Sequence, residues 1–199
     1  MSTTLRRKLV IVGDDTSGKT SLLIVCARGT FPEKDIPNVV HDYVADVDLD
    51  GQRMELALWD TVGEGHYGRL RPLSYPDSHV VLVCFAVDSP ESLANVQEKL
   101  SAWAGEVRHY TGKRVPFLLV GCKTDLRGEP RVVEELSKIG RRPVTIEEGS
   151  AVAKKIGAHS YIECSAKSGN GIKEVFLAAA AAARFPRPLV HPYFGCSVL

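Results

Sequence analysis

The segment Gly13-Asp14-Asp15-Thr16-Ser17-Gly18-Lys19-Thr20 follows directly on the apolar run Leu9-Val10-Ile11-Val12 and leads into a helical pattern through Leu22 to Cys26. It fits G-x-x-x-x-G-K-[ST] in the strand-to-helix setting that such a loop demands. The glycines let the backbone wrap a phosphate so that consecutive N–H groups point inward, and the Lys19 side chain reaches the outer phosphates. The Thr20 hydroxyl can hold Mg2+. A loop of this kind needs a strand end on one side and a helix start on the other.

The rest of the chain supplies the same alternation. YVADVDL (43–49), MELALW (54–59), HVVLVCFAV (79–87), FLLVG (117–121) and YIECS (161–165) have strand length and are separated by helical patterns. This indicates an α/β fold with a mostly parallel sheet. HVVLVCFAV and FLLVG are continuously apolar, as strands covered on both faces are, and belong at the sheet centre. YVADVDL and MELALW alternate apolar with polar and are joined by Asp50-Gly51, a hairpin signal, which puts one antiparallel strand at an edge. Helices are expected at 90–108, opened by Ser89-Pro90, at 145–156, opened by Thr145 with Glu148 three residues on, and at the alanine-rich 171–184. The charged stretch EPRVVEELSKI, 129–139, reads as a helical insertion. One domain over 1–184 fits a chain of 199 residues, and the three prolines after Arg184 make 185–199 an exposed, flexible tail.

Two later segments choose the ligand's base. Lys123-Thr124-Asp125, just past the strand FLLVG, offers a carboxylate to the paired N–H donors of a guanine edge, with the Lys123 stem over the ring. Adenine lacks that donor pair and would leave the acid unmatched, at a cost of a few kcal/mol. Ser165-Ala166-Lys167, after the last strand, supplies backbone donors for the guanine oxygen. A P-loop kinase of small metabolites is set aside by these two segments. Lys and Arg total 25 against 24 Asp and Glu, so no bulk charge points to nucleic acid. No signal sequence and no run of about 18 apolar residues is present, which leads to the expectation of a cytosolic chain. Cys26, Cys84, Cys122 and Cys164 form no CxxC pair and are expected as reduced, mostly buried thiols. His109 and His159 lack metal-ligand spacing, and Trp59 and Trp103 are expected to be packing residues.

From about Lys8 to Arg184 the chain resembles the Rho family of small GTPases, a branch of the Ras superfamily, through KLVIVGD, FPE, YVADVDLDG, ELALWDT, RLRPLSYPD, GCKTDLR and the insertion at 129–139. GCKTDLR and IGAHSYIECSA are also similar to the atypical Rnd branch. The resemblance implies a small G domain with a six-stranded sheet, GTP/GDP cycling with Mg2+, and switch segments at about 30–43 and 60–77. It implies nucleotide contacts from Gly13, Asp15, Thr16, Ser17, Gly18, Lys19, Thr20, Ser21, Phe31, Asn38, Asp60, Gly63, Lys123, Asp125, Leu126, Ser165, Ala166 and Lys167, with Thr20 and Asn38 on the metal. It also implies a monomer that meets effectors, exchange factors, activating proteins and a GDI-like carrier, and signals to the actin cytoskeleton from the cytoplasmic face of the plasma membrane.

Departures from the family pattern gather round one phosphate. Glu64 stands where the family has the glutamine that orients the attacking water, and an ionised carboxylate can only accept hydrogen bonds. Val62 replaces an alanine beside it, and Asp15 replaces a loop glycine with bulk and charge. Asn38 replaces the switch threonine, with a different reach to Mg2+, and Asp35 replaces a tyrosine. Val40 and His41 replace the Phe-Glu of the effector segment. These substitutions lead to the expectation of slow hydrolysis, and the added carboxylates also work against binding of GTP itself. Two readings follow: a switch with weak GTPase activity, or a non-enzymatic module locked in one nucleotide state. Finally, Cys196-Ser197-Val198-Leu199 fits the C-a-a-X geranylgeranylation signal. Only Arg184 and Arg187 are basic between 184 and 195, so the single lipid implies reversible membrane binding.

Overall fold

The computed structural model describes residues 4–33, 43–61, 68–99 and 115–184. Six strands are formed by β1 (Leu5–Gly13), β2 (Tyr43–Leu49), β3 (Gln52–Asp60), β4 (Val80–Ala86), β5 (Phe117–Cys122) and β6 (Tyr161–Glu163). Among the described residues five α-helices accompany them: α1 (Lys19–Arg28), α2 (Pro90–Lys99), α3 (Pro130–Lys138), α4 (Ile146–Ile156) and α5 (Ile172–Ala183). Short 3-10 turns occupy Gly68–Ser74 and Thr124–Leu126. The expected helix at 90–108 is seen as far as Lys99; its remainder, and the tail at 185–199, lie outside the described residues.

The sheet order is β2-β3-β1-β4-β5-β6. Only β2 runs antiparallel, paired with β3. Asp50 and Gly51 join the two with φ of 55° and 76°, the left-handed pair of a two-residue hairpin, and the Gly51 amide donates to Asp48 Oδ1 at 2.9 Å. β4 and β5 are buried along their whole length, while β2 alternates buried and exposed as an edge strand must. Alternation along the central strands divides the apolar interior in two. Leu9 and Ile11 face α1 and α5, with Leu23, Val175 and Phe176; Val10 and Val12 face α2 and α4, with Leu93, Val96 and Val152.

Local chemistry sets the helix ends. Thr145 caps α4 in a reciprocal box, the Glu148 amide donating to its hydroxyl while the Thr145 amide donates to the Glu148 carboxylate. α5 carries no basic residue in its last turn. Its last carbonyls are met from the sheet face it packs on, because Arg7, on the same side of β1 as Leu9 and Ile11, donates to Ala183 O at 2.8 Å and to Arg184 O at 3.4 Å. α3, the expected insertion, has no buried residue and stands on the surface. Trp59, expected to pack, is 38% exposed on β3, with the Lys8 ammonium 3.8 Å from its ring centroid. The reason is its place in β3: Met54, Leu56 and Leu58 take the inward face and leave the alternate position to solvent. Among the described residues no helix is long and apolar enough to cross a membrane.

Tyr161 fills the space between β5 and α4. A Cβ at Gly149 would lie 2.1 Å from its hydroxyl and 2.3 Å from Cζ. The ring cannot simply swing away, since it stacks on Phe85 at 6.3 Å between centroids. Gly149→Ala is therefore expected to cost about 2–3 kcal/mol by overpacking, while Ser150→Ala next to it stays within about 0.5 kcal/mol. Urea midpoints of the two variants would check this.

Candidate functional site

Five connections leave the carboxyl ends of the parallel strands at the same edge: 13–20 after β1, Asp60-Thr61 at the end of β3, 87–89 after β4, 123–126 after β5 and 165–167 after β6. β1 lies between β3 and β4, so successive connections leave it to opposite sides and open a crevice at its end.

Gly13 sits opposite Cys84 in the ladder with φ at +151°, and a Cβ there would be 2.2 Å from the Cys84 carbonyl oxygen. Without a side chain the chain turns sharply, and Thr16 takes a left-handed φ of 61°. Lys19 follows on the first turn of α1 and is 6% exposed. Its Nζ donates to the carbonyls of Gly13 at 2.9 Å and Asp14 at 2.6 Å, and burial holds its pKa below the ordinary lysine value. Two neutral carbonyls do not balance a buried ammonium, so an anion is the ligand this position suits. The Ser17 hydroxyl is buried with no hydrogen-bond partner among the described residues. Asp15 and Thr16 are exposed on the loop's shoulder, Ser21 is half-buried on α1, and Phe31 is 39% exposed just beyond that helix.

Thr20 Oγ1 donates to Asp60 Oδ2 at 2.6 Å, tying the first turn of α1 to the end of β3. Asp60 Oδ1 is buried without a hydrogen-bond partner among the described residues, and burial raises the pKa of this carboxyl against the opposing effects of Thr20, Lys19 and the Thr61 backbone. A hydroxyl and an orphaned carboxylate oxygen beside a phosphate-seeking lysine are the hard donors Mg2+ prefers, since it is commonly held by one or two protein oxygens and the phosphates themselves. Among the described residues no cluster of three His, Cys, Asp or Glu could hold a metal alone. Asn38, Val62, Gly63 and Glu64 lie outside the described residues, as do Asp35, Val40, His41 and Cys196.

The segments 123–126 and 164–168 meet. Lys123 has a left-handed φ of 62°, and its Cγ stands 3.8 Å from where a Cβ of Gly18 would be, so its stem borders the phosphate loop. Its ammonium is 3.4 Å from Asp88 Oδ2. Ser165, fully buried, donates from Oγ to Asp125 Oδ1 at 2.5 Å and accepts the Ser168 amide at 3.1 Å. The Thr124 amide donates to Cys164 O at 3.2 Å. Leu126 and Ala166 are half-buried, and Lys167 is exposed. Cys84, Cys122 and Cys164 are buried free thiols and Cys26 is partly buried, as anticipated.

The sequence did not disclose a third tie between these loops. Arg127 forms a two-pronged pair with Glu163 at 2.7 and 2.5 Å, the Tyr161 hydroxyl donates to the same carboxylate at 2.5 Å, and Arg127 Nε donates to Val144 O at 2.8 Å. Such charge-assisted forks are roughly twice as strong as neutral bonds. Arg127 and Glu163 are 36 residues apart, and no local pattern marks them as partners. Ser165→Ala would remove the donor held by Asp125 and leave the Ser168 amide unmatched. Amide exchange of Ser168 is expected to speed about tenfold, corresponding to loss of one neutral hydrogen bond, with the β5 amides unchanged. Hydrogen exchange followed by NMR checks it.

Residues 8–184 match the Ras family. The chain is 60% identical over 196 residues to the GTP-binding protein rho1 of Schizosaccharomyces pombe, covering 98% of this chain and 95% of that protein. It is 62% identical over 182 residues to GTP-binding protein rho5 of the same yeast, covering 92% and 89%. Against GTP-binding protein RHO1 of Saccharomyces cerevisiae the identity is 59% over 178 residues, covering 89% and 83%. With the glycine-rich loop at 13–20, the joined loops after β5 and β6 and the surface helix α3 all in place on a six-stranded sheet, the chain belongs to the Rho family of small GTPases within the Ras family.

Proposed function

We propose that this chain binds GTP and GDP, together with Mg2+, and acts as a membrane-associated signalling switch whose hydrolysis of GTP is slow. The observation that carries the nucleotide reading is a buried Lys19 partnered by two neutral carbonyls, in the same crevice as an Asp125 already oriented by Ser165. Relatives named GTP-binding proteins support it. In this reading residues 13–21 cradle the phosphates, Phe31, Lys123 and Leu126 border the nucleoside, and Asp125 with Ser165-Ala166-Lys167 reads guanine. Thr20 and Asp60 fit Mg2+, which when bound neutralises phosphate charge. Asn38 and Gly63 are assigned to the same site from sequence alone.

Slow hydrolysis follows from the side chains round the terminal phosphate. Asp15 places an exposed carboxylate on the loop shoulder, where a glycine would leave room for an activating protein's arginine. Glu64 cannot donate a hydrogen bond to a phosphoryl oxygen when ionised, and Val62 adds bulk beside it. Single-turnover hydrolysis is expected to be slow and barely stimulated by a Rho activating protein, and Asp15→Gly combined with Glu64→Gln is expected to raise the rate at least about tenfold, on the scale of one lost transition-state donor. A wild-type rate matching ordinary Rho proteins, with strong stimulation, would sink the idea.

A specific feature favours a second reading, a binding module locked with GDP or without nucleotide. Asp15 and Asp60 both act electrostatically on Lys19, so the lysine's charge is partly answered before any phosphate arrives. Nucleotide released from freshly purified protein separates the readings: GTP supports the slow switch, whereas GDP or none supports the locked module.

Cys196 would carry a geranylgeranyl group and place the protein on the cytoplasmic face of membranes, reversibly, with a carrier shielding the lipid in solution. Cys196→Ser is expected to move most of the protein from the membrane to the soluble fraction on centrifugation of cell lysates. An unchanged membrane fraction would remove the anchor.

A further inference from the structure

The outer shoulder of the phosphate loop does not rest on the apolar interior. Residues 14–17 face the first turns of α2 across a polar cavity of about 120 Å3, bordered by Asp14, Asp15, Ser17, Ser89, Ser92 and Asn95. A loop standing beside such a space is held in place by directional bonds more than by packing. One bond spans it. Asn95 Nδ2 donates to Asp14 Oδ2 at 2.7 Å, joining residues 81 apart in sequence.

Both ends of that bond lead somewhere. On the helix side, Leu93 and Val96 anchor α2 in the second apolar core. Ser92 Oγ lies 3.0 Å from the Ala86 amide and 2.6 Å from Ser89 O, fastening the start of α2 to the end of β4. Asn95 therefore projects from a fixed element. On the loop side, the main-chain carbonyl of Asp14 accepts from Lys19 Nζ at 2.6 Å and from the Ser17 amide at 3.3 Å. Moving Asp14 moves the carbonyl that Lys19 grips.

We propose that Asn95 is a positioning residue for phosphate binding: by holding Asp14 it fixes the shoulder of the loop against α2, keeps Lys19 and the loop amides in register, and slows nucleotide release. This rests on the guanine-nucleotide reading above. The residue type suits the place. The amide supplies a neutral donor to a cavity whose border includes the carboxylates of Asp14, Asp15 and Glu91, whereas an aspartate at 95 would turn the donor into a further negative acceptor.

The test uses the full chain loaded with a fluorescent GDP analogue and chased with excess GDP. Asn95→Ala and Asp14→Ala are each expected to release nucleotide about tenfold faster, the scale of one hydrogen bond to a charged group. The double variant should be no faster than either single, since both remove the same bond. Asn95→Asp should be faster still. Discrimination between GDP and inosine diphosphate, which lacks the 2-amino group, should be unchanged, because the base is read by the loops after β5 and β6. Release at the wild-type rate in both single variants overturns the proposal, and so do effects that multiply in the double variant. A parallel loss of base discrimination would show general loosening instead of positioning and also overturns it. Should Asn95→Ala fail to fold, Asp14→Ala leaves α2 intact and carries the same expectation. A wild-type chain that retains no guanine nucleotide overturns the reading on which the proposal stands, whereas retention with unaltered release in the variants overturns the proposal alone.

Discussion

The approach of Gly13 to the Cys84 carbonyl sets the geometry on which the crevice depends. β1 and β4 pair in register up to that residue, and the space for a side chain is already taken by main chain. The strand must therefore end in a residue without a Cβ, and the backbone is free to turn over the neighbouring strand end at once. Everything placed at this edge is referred to that turn: Lys19 on the first turn of α1, Thr20 facing Asp60 of β3, and the stem of Lys123 against Gly18. Bulk at position 13 would separate β1 from β4 before it touched any ligand.

Stability and positioning are divided between two kinds of interaction. Most apolar burial lies along the two faces of the sheet, where β4 and β5 are covered completely. Such contacts are strong in sum and non-directional, so they hold strands together without specifying where a loop atom sits. At the carboxyl edge the ties are polar. Ser165 fixes Asp125, the Arg127 fork fixes Glu163 and with it the strand that leads to Ser165, and Asn95 fixes Asp14. Each is modest against the whole, but each selects one geometry, which is what a ligand site requires.

The same division explains what the sequence revealed. Period-two and continuous apolar runs located all six strands, and Asp50-Gly51, Thr145 with Glu148 and the loop at 13–20 located their turns and caps, because these signals are local. The phosphate loop and Lys123-Thr124-Asp125 were legible for the same reason. Arg127 with Glu163 and Asn95 with Asp14 were not, since partners 36 and 81 residues apart meet only through the sheet order. Trp59 departs from the expectation of its residue type, since its parity in β3 sends it outward to lie beneath Lys8. The 3-10 turn over Gly68–Ser74 was likewise hidden: Pro72 within it spoils a helical pattern, although its fixed φ suits such a tight turn.

Asp15 joins the fold to the proposed loss of hydrolysis in a way that its residue type alone does not disclose. It is exposed, so its charge acts through solvent, is weakened by salt and is worth little at a distance. Its volume is not screened at all. Lys19, by contrast, is buried and responds to Asp15 and Asp60 with burial opposing both. In the proposed function a carboxylate on the loop shoulder would thus do two separable things: lend weak, salt-sensitive support to the lysine when no phosphate is present, and occupy space next to the terminal phosphate when one is bound. The first bears on how firmly nucleotide is held, the second on whether a catalytic group can enter. Because the screened effect is the smaller, obstruction of hydrolysis would in the proposed function be the stronger consequence of Asp15, and weakened nucleotide binding the lesser one.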